Sequence, residues 1–166
     1  MSPTVDIQRR LWYAASMRTY SDAAIAAAAG IDYSTFRGWL HRGALRRPRG
    51  GWTPEDAILL RCVWVLAVLG IDLRAAIDLC EARRAAITAG RGWLVYLRDP
   101  GVEPAVLLVT RPEDLVAVTS HGLLRGPQAG VVTIDLSRSR EVVLRALREA
   151  RSEARVEPQP RREVIA

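Results

Sequence analysis

Through the first half of the chain, apolar residues recur every three or four positions, which is the spacing of an amphipathic helix. The pattern predicts helices over residues 6–18, 22–29, 33–42, 54–69 and 73–89. Ser, Asp or Thr precedes each of the last four as a potential N-cap, and glycine follows as a stop signal. The fourth helix is apolar on nearly every side, so we expect it at the centre of the core.

From residue 90 the apolar residues gather into short runs that favour β-structure and are bounded by Gly and Pro. They predict strands over residues 93–97, 105–109 and 131–134, a short helix from residue 111 and a final helix over about 137–151. This order is typical of a small α/β module packed on one sheet. The expected fold class is therefore α+β, with a helical domain at 1–90, an α/β module at 91–151 and a flexible tail at 152–166.

Positive charge is concentrated near the N-terminus. The chain of 166 residues has a net charge of +6, and residues 1–51 contain eight arginines against three acids. Residues 33–51 contain five arginines and no acid. A soluble basic surface is one interpretation, but this concentration favours a surface that binds phosphate groups.

Residues 22–42 have the layout of a helix-turn-helix, because two short helices flank the turn Gly30-Ile31-Asp32. Small residues at Ala26 and Gly30 let the second helix approach the first closely. The apolar contacts between the two helices are expected from Ile25, Ile31, Phe36 and Trp39. A compact helical hairpin without DNA-binding activity would use the same spacing, so that interpretation stays open. The basic segment 43–51 predicts a tight turn or a β-wing.

The order and spacing of these elements resemble the MerR-type winged helix-turn-helix family over residues 19–88. The motifs that carry the resemblance are Tyr20-Ser21, Ala26-x-x-x-Gly30-Ile31, Thr35-Phe36-Arg37-Gly38-Trp39, Gly43-Ala44-Leu45, Gly51-Trp52-Thr53-Pro54-Glu55-Asp56 and Leu69-Gly70-Ile71-Asp72-Leu73. The chain departs from the family at Gly38, where a tyrosine is common, and after residue 89, where the family's long dimerising helix has no counterpart. Metal or drug sensing is therefore not carried over.

The resemblance and the basic segment together imply double-stranded DNA as the partner, with the second helix in the major groove. Arg37 is the best candidate for reading guanine, because its guanidinium matches the acceptors O6 and N7. A phosphate contact alone is the other possible role for Arg37. The remaining candidate DNA contacts, to bases or to the backbone, are Ser21, Tyr33, Ser34, Thr35, His41, Arg42, Arg46, Arg47 and Arg49. Phe36 and Trp39 are expected in the core instead.

Patterns of other function classes are missing from the sequence. His41 and His121 lack a paired nucleophile or metal-ligand spacing, and there is no phosphate-loop glycine pattern, so neither catalysis nor a cofactor or metal is expected. Cys62 and Cys80 stand outside any C-x-x-C pair and are expected to be buried free thiols. The longest apolar run spans about ten residues, half of what a membrane span needs. Since a signal-peptide pattern is also missing, we expect a cytoplasmic, nucleoid-associated protein without membrane contact.

Two functions of different classes remain. The first is a sequence-specific transcriptional regulator of bacterial or phage type, whose α/β module makes a homodimer or senses an unknown effector. The second is an adaptor or antitoxin that binds a protein partner, and an excisionase-like architectural DNA-binding factor lies between the two. Binding to random duplex DNA across a range of salt concentrations distinguishes a DNA-binding protein from a pure adaptor.

Overall fold

Helices dominate the part of the chain that the computed structural model describes, which is residues 19–98, 105–120 and 130–156. The elements are α1 (Asp22–Ala29), α2 (Tyr33–His41), α3 (Pro54–Val68), α4 (Leu73–Glu81), α5 (Arg84–Ala89), β1 (Trp93–Arg98), β2 (Ala105–Val109), α6 (Pro112–Ser120), β3 (Gly130–Asp135) and α7 (Leu136–Val156). The described residues thus combine α and β structure, as expected. The helix predicted over residues 6–18 lies outside them.

Local side-chain caps set the starts of the N-terminal helices. Ser21 caps α1 by accepting a hydrogen bond from the backbone N–H of Ala24 at 3.2 Å. Asp32 caps α2 in the same way. Gly30 ends α1 in the left-handed conformation, with φ at 74°, which glycine adopts without steric cost. The two helices and the three-residue turn between them are therefore confirmed.

A capping box begins α3 and is tied to the two helices that follow it. The backbone N–H of Asp56 donates to the Thr53 hydroxyl at 3.3 Å, and the backbone N–H of Thr53 donates to the Asp56 carboxylate at 3.0 Å. Asp56 also accepts a hydrogen bond from Arg84 at 3.1 Å, and Arg84 donates two more to Glu81, each at 2.8 Å. The hydrogen bonds from Arg84 lower the pKa of the Glu81 carboxyl. Helix α3 is buried along most of its length, which confirms it as the central core helix.

The single helix predicted over residues 73–89 is wrong. Helix α4 ends at Glu81, and α5 begins at Arg84 after a two-residue turn. In the turn, the Arg83 guanidinium donates to the carbonyl oxygen of Leu79 at 3.2 Å. Ile87 of α5 is fully buried in the core. The sequence has no glycine or proline at this break, so tertiary packing decides it.

The three strands form one antiparallel sheet in the order β2-β1-β3. Leu94 in the central strand pairs with Leu108 on one side and Ile134 on the other. Leu94 and Ile134 belong to the same buried cluster as the helices. The predicted strands are confirmed, with β3 one residue longer at each end, and the predicted short helix extends to Ser120.

The last helix packs against other helices more than against the sheet. Helix α7 contacts α1, α3 and α5, and its buried side chains include Leu136, Val143 and Leu147. The sequence predicted that the last helix belongs to a module packed on one sheet. In the structure, α7 instead packs mainly on α1 and α3. Helix α7 also continues to Val156 and so includes the start of the predicted tail; residues 157–166 lie outside the described residues. The division at residue 90 stays a prediction, and the hydrophobic core runs across it.

The two cysteines are buried free thiols, as predicted. Burial raises the pKa of each thiol to about 12, so both stay protonated at neutral pH. None of the helices in the described segments is long and apolar enough to cross a membrane.

Candidate nucleic-acid interface

Helix α2 is fixed to the core by two aromatic side chains on one of its faces. Phe36 is fully buried and packs against Trp52 with ring centroids 5.6 Å apart. Trp39 is 5% exposed and lies 5.9 Å from the ring of Trp64. Both were predicted as core residues, and this is confirmed. The buried face leaves the polar face of α2 directed away from the core.

The exposed face of α2 carries four of the predicted DNA contacts. Tyr33, Ser34, Arg37 and His41 are exposed, whereas Thr35 is half-buried. The guanidinium carbon of Arg37 lies 6.0 Å from the centroid of the Tyr33 ring, at the outer limit of a cation–π contact. Arg37 and the Tyr33 ring therefore lie side by side on the exposed face of α2.

Two of the predicted DNA contacts at the start of α2 take part in its cap. Asp32 accepts hydrogen bonds from the backbone N–H groups of Ser34 at 3.0 Å and Thr35 at 3.2 Å. The Ser34 hydroxyl also donates to Asp32, and this bond is the main cause of the lowered pKa of the Asp32 carboxyl. Ser34 is thus already a donor within the chain, which leaves its hydroxyl free as an acceptor only.

Residues 43–51, here called the basic connector, form turns between α2 and α3. The backbone N–H of Gly51 donates to the carbonyl of Pro48 at 3.0 Å, which closes a tight turn. The β-wing interpretation is wrong, because the connector contains no strand. The nearby sheet-like contact is an isolated bridge between Tyr20 and Trp52, just outside the connector. The Arg47 side chain of the basic connector bonds to α1, and the connector backbone forms no strand within residues 43–51.

Asp22 at the start of α1 holds the basic connector. Its carboxylate accepts hydrogen bonds from Nε of Arg47 at 3.0 and 3.2 Å and a further one from Nη2 of Arg47. It also accepts a bond from the indole Nε1 of Trp52 at 2.8 Å. The hydrogen bonds from Arg47 are the largest cause that lowers the pKa of Asp22, and the charge of Arg37 contributes in the same direction. Asp22 therefore stays ionised and lies close to the predicted DNA contacts of both elements.

An open depression of about 440 Å³ lies between α2 and the basic connector. The residues that line it are Arg37, Leu40, His41, Leu45, Arg46 and Arg47. Four of these are predicted DNA contacts from the two different elements. The structure thus brings the candidate base-reading helix and the candidate backbone-binding segment to one surface.

Three other predicted contacts are not among the residues that line this depression. Arg42 turns back over α2, and its guanidinium lies 3.3 Å from the position that a Cβ of residue 38 would occupy. Glycine at this position gives that side chain its space. Arg49 is exposed on the connector, and Ser21 is exposed as the cap of α1.

Asp22 is the residue that sequence reasoning missed. Asp22 lies in the first turn of α1, and its partner Arg47 lies 25 positions further along the chain. The available signal was an acid at a helix start in a region otherwise rich in arginine. That signal does not say which arginine it meets.

No family model matches the chain, and comparisons with curated proteins and with solved structures find no match either. The MerR-type resemblance therefore stays a prediction from motifs and their order. Among the described residues, no group of three or more His, Cys, Asp or Glu side chains is arranged to hold a metal ion.

Proposed function

We propose that the chain binds double-stranded DNA in a sequence-specific manner, as a transcriptional regulator of bacterial or phage type. Helix α2 enters the major groove, and the basic connector lies along the phosphate backbone. The observation that carries the proposal is the shared depression, where exposed side chains of α2 meet the arginines of the connector.

The shape of α2 supports the groove-binding half of the proposal. A helix with its side chains is about 10–12 Å wide, and the major groove is about 12 Å wide. Phe36 and Trp39 fix α2 to the core, so the helix can enter a groove as a rigid element. Arg37 stands on its exposed side beside the Tyr33 ring, which suits a contact to the O6 and N7 atoms of guanine.

The charges of the connector support the backbone-binding half. Arg42, Arg46 and Arg49 are exposed, and none of the carboxylates in the described parts of the chain pairs with them. Arginines in this state are free to neutralise phosphates and release counterions. Arg47 differs from them because it is already paired with Asp22.

A homodimer belongs to the same proposal. Strand β2 lies at one edge of the sheet, and its five residues include no charge, proline or glycine to block pairing with another strand. A two-fold dimer would read inverted half-sites about one helical turn apart. Light scattering of the full chain, coupled to size-exclusion chromatography, measures the oligomeric state directly.

Duplex binding across a range of salt concentrations tests the central claim. Fluorescence anisotropy with a labelled random-sequence duplex should give a binding constant that falls with salt, with a logarithmic slope of about −0.9 for each phosphate neutralised. Selection from a random DNA library should then enrich one motif.

A matched pair of variants localises the surface. The double variant R37A/R46A should lose most of the binding, whereas R111A/R145A removes the same charge from α6 and α7 and should change it little. If the chain binds no duplex, or if both double variants weaken binding equally, the proposal is wrong. Retention of a specific protein partner without DNA binding would favour the adaptor instead.

A further inference from the structure

One arginine of the surface that we propose for DNA is paired with a carboxylate of the chain itself. Asp22 meets Arg47 along the edge formed by Nε and Nη2 of the guanidinium. Arginine presents the same two-pronged edge to a phosphate. In the free protein, therefore, an internal anion already holds the position that a backbone phosphate would take on Arg47.

Asp22 is held firmly in this position. The indole N–H of Trp52 binds one carboxylate oxygen at 2.8 Å, and Trp52 itself is only 4% exposed. The carboxylate also lies in the first turn of α1, where the helix dipole favours negative charge. Its side chain is 16% exposed, whereas that of Arg47 is 65% exposed. The acid is therefore the fixed member of the pair, and the arginine is the member that solvent or a ligand reaches.

We infer that Asp22 is an internal competitor of DNA phosphates for Arg47, which weakens binding to duplexes of any sequence. This inference rests on the proposed function. Phosphate neutralisation contributes to binding whatever the sequence, so each arginine withheld from the backbone lowers the affinity and its dependence on salt. The base contacts of α2 do not pass through Arg47. Withholding this arginine therefore lowers the sequence-independent part of the affinity and leaves the base contacts unchanged.

Asp22→Asn is the variant that isolates this competition. The amide keeps an oxygen that can accept the Trp52 hydrogen bond but removes the charge that holds Arg47. For random-sequence duplex, the logarithmic salt slope should steepen by about 0.9, the value for one further phosphate contact. The affinity of D22N relative to the wild type should then grow about fivefold as salt falls from roughly 0.3 M to 0.05 M.

Asp114→Asn is the matched control. Asp114 pairs with Arg111 on α6, with Nε and Oδ2 2.9 Å apart. Its replacement changes the net charge by the same amount and removes the nearer of the two carboxylates that pair with Arg111, the other being Glu113 at 3.9 Å. Arg111 lies just before α6 and away from the surface proposed for DNA. We expect D114N to leave the salt slope at the wild-type value.

A double variant tests whether the effect of D22N passes through Arg47. In the R47A background, D22N should no longer steepen the salt slope. Thermal unfolding of each variant establishes that the protein measured is folded.

Several results would overturn the inference while the proposed function stands. With a wild type that binds duplex, these are an unchanged slope in D22N, an equal gain in D114N, or a slope that D22N still steepens by about 0.9 in the R47A background. If neither the wild type nor D22N binds duplex DNA, the proposed function fails and the inference fails with it.

Discussion

Arg37 lies on the exposed side of α2, with the ring of Tyr33, one helical turn before it, 6.0 Å from its guanidinium carbon. Because a guanidinium can read guanine through two hydrogen bonds, Arg37→Ala should cost about 1–3 kcal/mol at the selected DNA site and relax selectivity at one base pair. Library selection with the variant measures both effects. Arg42→Ala is the control, and it should weaken all sequences alike. Uniform loss in R37A would assign Arg37 to the backbone.

Asp22 also makes the stability of the protein depend on pH. Its pKa in the folded chain lies below the ordinary value of 3.8, mainly because Arg47 hydrogen bonds to the carboxylate. A group whose pKa is lowered by folding contributes stability that is complete above the unfolded pKa and is lost as pH falls through the folded pKa. The wild type should therefore melt at a higher temperature than D22N near pH 7, and the difference should shrink as the pH falls below 3.8. Melting curves followed by circular dichroism measure it. A difference that stays constant as the carboxyl is protonated at acid pH contradicts the assignment.

At the level of elements, the turn between α1 and α2 depends on one glycine. Gly30 has φ at 74°, and a Cβ there would lie 3.2 Å from Nη1 of Arg61. Gly30→Ala should therefore destabilise the protein by about 1–2 kcal/mol, because a side chain disfavours the left-handed conformation.

Gly38 provides the comparison within the same pair of helices. It lies inside α2, and the atoms that a Cβ would approach belong to the flexible end of Arg42. Since alanine is the better helix former, Gly38→Ala should stabilise the protein, by up to about 1 kcal/mol. Urea unfolding of the two variants measures both free energies. Equal effects at Gly30 and Gly38 would mean that backbone conformation does not decide them.

The elements that the sequence predicted well are those with local signals. Ser21 and Thr53 cap helices through hydrogen bonds to residues three positions away, so their roles can be seen in a short stretch of sequence. The break between α4 and α5 has no such signal, and the Gly-Gly pair and proline of the basic connector left both a tight turn and a β-wing open. Contacts between distant residues accompany both outcomes: Arg84 bonds to Asp56, 28 positions away, and Arg47 bonds to Asp22, 25 positions away.

In the molecule as a whole, α7 makes the N-terminal helices depend on the C-terminal end of the chain. It packs on α1 and α3, and Leu147 is 2% exposed at this contact surface. Leu147→Ala should cost about 2–5 kcal/mol, and hydrogen exchange should speed up in α1 as well as in α7. Leu107→Ala is the control and should cost less, because Leu107 is 37% exposed on the edge strand β2. Faster exchange confined to α7 would mean that the helices do not unfold together.

The sequence by itself determined the starts of α1 to α4, the turn between α1 and α2, the buried face of α2 and the concentration of arginine in residues 33–51, because each depends on residues a few positions apart. Only the tertiary structure decided which surfaces α7 covers and that Asp22 holds Arg47. Contacts between residues 25 or more positions apart follow from how whole elements pack, and no short pattern in a chain encodes that packing.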